Sequence, residues 1–193
     1  MAELIADLFV SLDGFAAGVD AGPFFGYSGP ELDAWVQDAL SRPQRMVMGR
    51  VTYQVLAEIS APATDEVSTP MTALPKIVFS GTLTEPLAWA NTRLIRGGLA
   101  EGIAALKRES DEPLRTIGSL ALVRSLMRLG LVDRLRLMTF PLILGEAGLE
   151  PAFAGYARAG LDLTGTTVLD SRLVLLEYAR PEYARGRADG DRR

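Results

Sequence analysis

Met46-Val47-Met48-Gly49-Arg50-Val51-Thr52-Tyr53 reads as an apolar strand that stops at a glycine and passes at once into a helix. A strand feeding a helix N-terminus leaves backbone N–H groups and the positive end of the helix dipole facing outward, which suits an anion such as phosphate. Arg50 adds a two-pronged charged donor and Thr52 a hydroxyl. Taken alone, the same stretch is also an ordinary junction with a solvated arginine. A second stretch of the same construction, Ile117-Gly118-Ser119-Leu120-Ala121, gives the first its weight. There a strand ends, a glycine lets the chain turn tightly, and a small residue opens the next helix. Ser119 either caps that helix, helps hold pyrophosphate or the nicotinamide ribose, or does both.

Outward from these two breaks, strand-like and helix-like segments alternate. Strands are expected over residues 4–10, 45–48, 76–80, 92–95, 114–117 and 135–140. Helices are expected over 30–40 and 51–59, from Gly97-Gly98 to about Glu109, and over 119–129. Residues 60–74, rich in Pro, Thr, Ser and Ala, read as a loop, and 141–160 as turns. Residues 166–169 and 173–178 read as a hairpin around Asp170-Ser171. This order predicts an α/β fold with a mostly parallel sheet, helices on both faces and antiparallel edges. A single domain over residues 1–180 is expected, followed by a charged, mobile tail over 181–193.

The absences narrow the chemistry. The chain has neither cysteine nor histidine. Thiolate nucleophiles, the Ser-His-Asp triad and His- or Cys-ligated zinc are therefore excluded. No clustered Asp/Glu motif suggests a metal site. An enzyme of this composition needs a bound organic cofactor for the hard chemistry, with the protein supplying position and electrostatics. The net charge of −4 gives no reason to expect nucleic acid or an anionic membrane as a partner. No apolar run reaches the ~20 residues that span a bilayer. Met1-Ala2-Glu3 lacks the basic flank of a secretory signal, so a cytoplasmic location is expected.

Other candidate residues have two readings each. Ser80, in Ser80-Gly81-Thr82 after the third strand, reaches the adenosine end of a dinucleotide or merely starts a loop. Asp13, in Ser11-Leu12-Asp13-Gly14, is the candidate acid if burial raises its pKa, or else it stabilises its own turn. Phe24, Phe25 and Tyr27, in a Gly-rich loop, stack on a flat heterocycle or pack beneath the loop. The fingerprint G-x-G-x-x-G is absent, which argues against an ordinary Rossmann dinucleotide site. Arg50 on a 2′-phosphate would favour NADPH over NADH by about 10- to 100-fold, from the ~1.5–3 kcal/mol of a charge-assisted hydrogen bond.

In order, the blocks Leu4-Ile5-Ala6-Asp7 with Ser11-Leu12-Asp13-Gly14, Met48 to Tyr53, Lys76 to Ser80, Ile117-Gly118-Ser119 through Leu126 to Asp133, and Pro141-Leu142-Ile143-Leu144-Gly145 resemble the dihydrofolate reductase-like superfamily. The likeness is strongest to the reductase domain of bacterial riboflavin biosynthesis and its stand-alone relatives. It implies a central sheet of about eight strands, mostly parallel, with an antiparallel C-terminal edge, and NADPH lying across the strand ends. Gly49, Arg50 and Thr52 would take the adenosine-side phosphates, with Ser80 nearby, and Gly118, Ser119, Leu120 and Ala121 the pyrophosphate and nicotinamide side. Dihydrofolate reductases carry a pterin-binding carboxylate on the first helix; Glu31 and Asp33 flank that place here, with Trp35 on the same helix. The implied activity is NADPH-dependent reduction of a small heterocycle. The leading acceptor is 5-amino-6-(5-phosphoribosylamino)uracil and the second is dihydrofolate; a non-catalytic nucleotide- or flavin-binding protein is the alternative. Stand-alone relatives commonly form homodimers. The chain departs from the family in two places: Ser119 stands where a second glycine is usual, and Arg134 where an acid often follows Val-Asp.

Overall fold

A computed structural model describes residues 1–156 and 158–181; apart from Pro181, the expected C-terminal tail lies outside them. The strands are β1 (Leu4–Ser11), β2 (Arg45–Gly49), β3 (Lys76–Phe79), β4 (Thr92–Ile95), β5 (Leu114–Thr116), β6 (Arg134–Phe140), β7 (Asp162–Leu169) and β8 (Leu173–Ala179). The helices are α1 (Pro30–Ser41), α2 (Arg50–Ser60), α3 (Ser68–Ala73), α4 (Leu99–Glu109) and α5 (Leu120–Arg128). The eight strands form one sheet in the order β4-β3-β2-β5-β1-β6-β8-β7. Every pairing from β4 to β6 is parallel, and β8 runs against both β6 and β7. The resemblance implies this arrangement.

The central strands are apolar on both faces because helices cover both. Leu4, Ala6, Leu8 and Val10 of β1 pack with Ile103 and Leu106 of α4 and with Leu122, Val123 and Leu126 of α5. On the other face Met46, Met48 and Val78 meet Leu40 of α1, Tyr53 of α2 and Met71 of α3. A third cluster joins Leu32 of α1 to Met138 and Phe140 of β6 and to Leu173 and Leu175 of β8.

Two expectations need correction. Residues 60–74 are not all loop, since α3 lies within them. It starts where the Asp65 carboxylate accepts from the Val67 and Ser68 N–H groups, at 2.9 and 2.8 Å. It ends on the wholly buried Lys76, whose ammonium donates to the carbonyls of Met71, Thr72 and Leu74 at 3.1, 2.8 and 2.7 Å and lies 4.6 Å from the Trp89 ring centre. The hairpin is also longer than expected, with β7 beginning at Asp162. This edge strand is exposed along most of its length, so its sequence carries little in–out alternation.

Candidate active site

β2 and β5 are neighbours, with Val47 opposite Thr116. After β2 the chain turns through α2 toward β3 and one edge of the sheet. After β5 it turns through α5 toward β6 and the other edge. Connections that leave adjacent strands in opposite directions open a crevice at the strands' carboxyl ends, where α/β proteins bind ligands. The two glycine breaks meet there. A Cβ placed on Gly49 would lie 2.6 Å from the Ser119 hydroxyl, and one on Gly118 would lie 3.0 Å from Cγ2 of Thr52. Gly118 (φ +58°) and Ser119 (φ +66°) take consecutive left-handed conformations, which swing the chain into α5.

Ser119 occupies the N-cap position of α5, yet its hydroxyl makes no capping bond. Its carbonyl accepts from Leu122 and Val123 at 2.9 and 3.0 Å. The N–H groups of Leu120 and Ala121 are among those that a first helical turn leaves without an intrahelical partner. Gly49, at the N-terminus of α2, likewise offers no side-chain cap. Two uncapped helix N-termini thus face one crevice from opposite faces of the sheet.

The crevice is a cavity of about 1110 Å³. Gly49, Arg50, Thr52, Gly118, Ser119, Leu120, Ala121, Phe24 and Trp35 line it, which brings together most of the residues singled out from sequence. Arg50 is exposed and donates to Oε1 of Gln54 at 2.9 Å. Phe24 stands with its ring 5.3 Å from Phe9 and 6.4 Å from Phe140, so it serves both the cleft wall and the core.

Six expected residues lie elsewhere. Phe25 and Tyr27 are outside the lining and pack on Phe140 at 5.2 and 5.8 Å, as core packing beneath the loop. Ser80 lines a smaller neighbouring hollow, and its hydroxyl accepts from the Thr82 and Leu83 N–H groups, both at 3.1 Å. Asp33 is exposed on α1 and does not reach the cleft. The Glu31 carboxylate accepts from the backbone N–H of Asp170 in the β7–β8 hairpin. In return the Asp170 carboxylate accepts from the Glu31 and Leu32 N–H groups, each at 3.0 Å. Asp13 corrects the expectation of a buried acid. It is exposed and accepts from the Ser11 hydroxyl at 2.6 Å and from the N–H groups of Gly145 and Leu144 at 2.8 and 3.1 Å. These bonds, that from Ser11 foremost, hold its carboxyl below the usual aspartate range, so it is ionised and fixes the 144–145 turn.

The floor of the cleft holds a group that sequence reasoning passed over. Asp7, in the middle of β1, is buried. It accepts from Nε and Nη2 of Arg136, both at 2.7 Å, and from Nε of Arg115. Both guanidiniums lie beside Trp35, at 5.4 and 5.5 Å from its ring centre. Burial pulls the Arg115 pKa down against the opposing pull of Asp7. Burial also acts against Arg136, but the charge and hydrogen bonds of Asp7 and the charges of Glu177 and Glu3 together outweigh it and hold that pKa above the ordinary value. The available signal was a charged residue inside an otherwise apolar strand, with arginines at strand positions 115, 134 and 136.

Residues 2–175 match the family described as the RibD C-terminal domain. The chain belongs to the RibD C-terminal domain family. Within curated proteins it is 28% identical over 182 residues to the uncharacterized protein YyaP of Bacillus subtilis (strain 168), covering 91% of this chain and 94% of that one. Its fold is shared by a protein assigned to riboflavin biosynthesis in Shewanella sp. PV-4, at TM-score 0.70 and 23% identity over 93% of this chain and 99% of the other. It is shared too by the dihydrofolate reductase of Enterococcus faecalis, solved with NADP(H) and RAB-propyl, at TM-score 0.64 and 14% identity over 93% of this chain and 96% of that one. This RibD C-terminal domain therefore has a dihydrofolate reductase-like fold. Among its described residues no helix is long and apolar enough to cross a membrane.

Proposed function

We propose that this RibD C-terminal domain is an NADPH-dependent reductase of a small heterocyclic acceptor. The observation that carries the reading is the meeting of two glycine breaks and two uncapped helix N-termini at one crevice. The cradle fits a phosphorylated dinucleotide because Gly49 and Gly118 keep side chains out of the space where the two breaks approach, beside two uncapped helix N-termini. The Enterococcus enzyme of the same fold was solved with NADP(H), which supports the assignment. When bound, the nucleotide supplies a hydride.

In this reading Gly49, Arg50 and Thr52 hold the adenosine-side phosphates, and Gly118, Ser119, Leu120 and Ala121 the pyrophosphate and nicotinamide side. Trp35 and Phe24 hold the acceptor flat. The proton comes from water, since Asp13 is ionised and outside the cleft. Family membership favours a pyrimidine-type heterocycle over dihydrofolate. So does the site, because Glu31 is turned to the hairpin and Asp7 is already held by two arginines, leaving neither carboxylate free for a pterin.

Quenching of Trp35 fluorescence on NADPH titration tests the binding half, and steady NADPH oxidation with an acceptor tests the catalytic half. Arg50→Ala should weaken NADPH about 10- to 100-fold while leaving NADH nearly unchanged. Equal weakening of both would remove Arg50 from the 2′-phosphate, and no saturable NADPH binding would end the reading. The proposal extends to a homodimer. Its support is the outer edge of β7, which pairs only with β8 among the described residues and exposes Leu163 and Val168. Sedimentation at two protein concentrations would show whether the chain is paired.

A further inference from the structure

The cleft walls carry information about the acceptor's tail. Among the described residues the ionisable side chains lining it are Asp7, Arg50, Arg115 and Glu150. Arg115 is bound to Asp7 at the floor. Arg50 stands at the α2 N-terminus, where the proposed cofactor phosphate takes it. Glu150 adds a negative charge that opposes a second phosphate. Helix N-termini near the cleft, the other common phosphate receptors, are also committed. Those of α2 and α5 face the cofactor cradle. That of α1 is filled by the Asp170 carboxylate, which comes so close that a Cβ on Gly29 would lie 2.3 Å from its Cγ.

Apolar side chains line the rest of the wall. Val51 and Val55, one turn apart on α2, and Val67 before α3 line the cavity although 62%, 51% and 40% exposed. Met71, Val36 and Leu40 continue the surface inward. Exposed valines at helical spacing beside a cleft are apolar surface that a bound molecule can cover.

We infer that the acceptor of this site is a flat heterocycle bearing an uncharged, apolar substituent that lies along Val51, Val55 and Val67, and not a phosphoribosylated one. The inference rests on the reductase reading and names its substrate class. It departs from the leading acceptor expected from sequence, whose phosphate carries about −1.5 to −2 charges at neutral pH and meets no uncommitted cation among the described residues of this wall.

Two probes with the same head separate the tails: 5-amino-6-(benzylamino)uracil and 5-amino-6-(5-phosphoribosylamino)uracil. Each is titrated calorimetrically into the full chain, with and without saturating NADPH, and NADPH binding is measured separately. The benzyl probe is expected to bind the NADPH-saturated protein at least ~10-fold more tightly, a ratio set by the buried apolar area of the ring. Val55→Lys should shrink that ratio about tenfold or more by placing a cation in the apolar wall. Ile59→Lys, one turn further along α2 and outside the lining, should leave the ratio unchanged. Equal or tighter binding of the phosphorylated probe, binding of neither probe, or the same shift in both lysine variants would overturn the inference while normal NADPH binding left the reductase reading standing. Loss of NADPH binding would instead count against that reading.

Discussion

Gly118 combines two constraints at one position: a left-handed backbone, at φ +58°, and a wall 3.0 Å away in Thr52. Gly118→Ala should therefore cost about 1–2 kcal/mol in a urea unfolding experiment. It should also weaken NADPH by more than the stability loss alone would suggest, because the added methyl projects between the two breaks. Ser119 already bears the strain of a side chain at φ +66°, and Ser119→Gly should raise stability in the same assay by up to ~1 kcal/mol. A drop would mean that its hydroxyl holds the crevice together. The glycines were legible in sequence because each ends an apolar strand and precedes helical spacing, a purely local pattern. Asp13 was misread because two of its three partners, Leu144 and Gly145, lie far along the chain, and Ser11 beside it does not mark them. Asp7 was visible as an interruption, but the arginines that make it tolerable arrive from two other strands.

At the scale of elements, strands and helices whose apolar period faces a core were found within a residue or two, whereas α3 was hidden. Its six residues include a proline, and its ends are defined by Asp65 and Lys76, which lie outside it. Such a helix depends on its caps more than on propensity. The Asp65 carboxyl is held at about 2, below its ordinary 3.8, chiefly by the backbone bond from Ser68, with further bonds from the Ser68 side chain and the Val67 N–H. A depressed folded-state pKa adds stability that is fully present above the unfolded value and is lost as pH falls from about 4 toward 2. Wild type should therefore lose urea resistance over that window more steeply than Asp65→Ala does. Parallel curves would show that the cap contributes nothing to folding.

Across the whole molecule, the carboxylate of β1 ties together β5 and β6, its neighbours on either side. Arg134 carries the pattern on, bonding Glu3 at 3.3 Å and Glu177 of β8 at 3.0 Å. Removing one member of a buried charge cluster strands the others, so Asp7→Ala should destabilise the protein by about 3–5 kcal/mol in chemical denaturation. A loss below ~1 kcal/mol would mean that water entering through the cleft already solvates the arginines. This arrangement also bears on how the chain assembles. A neighbour threaded one position out of step would point its arginine among leucines and leave the aspartate facing grease, so the seam checks the central strands against misalignment and lets them lock only when all three arrive in phase.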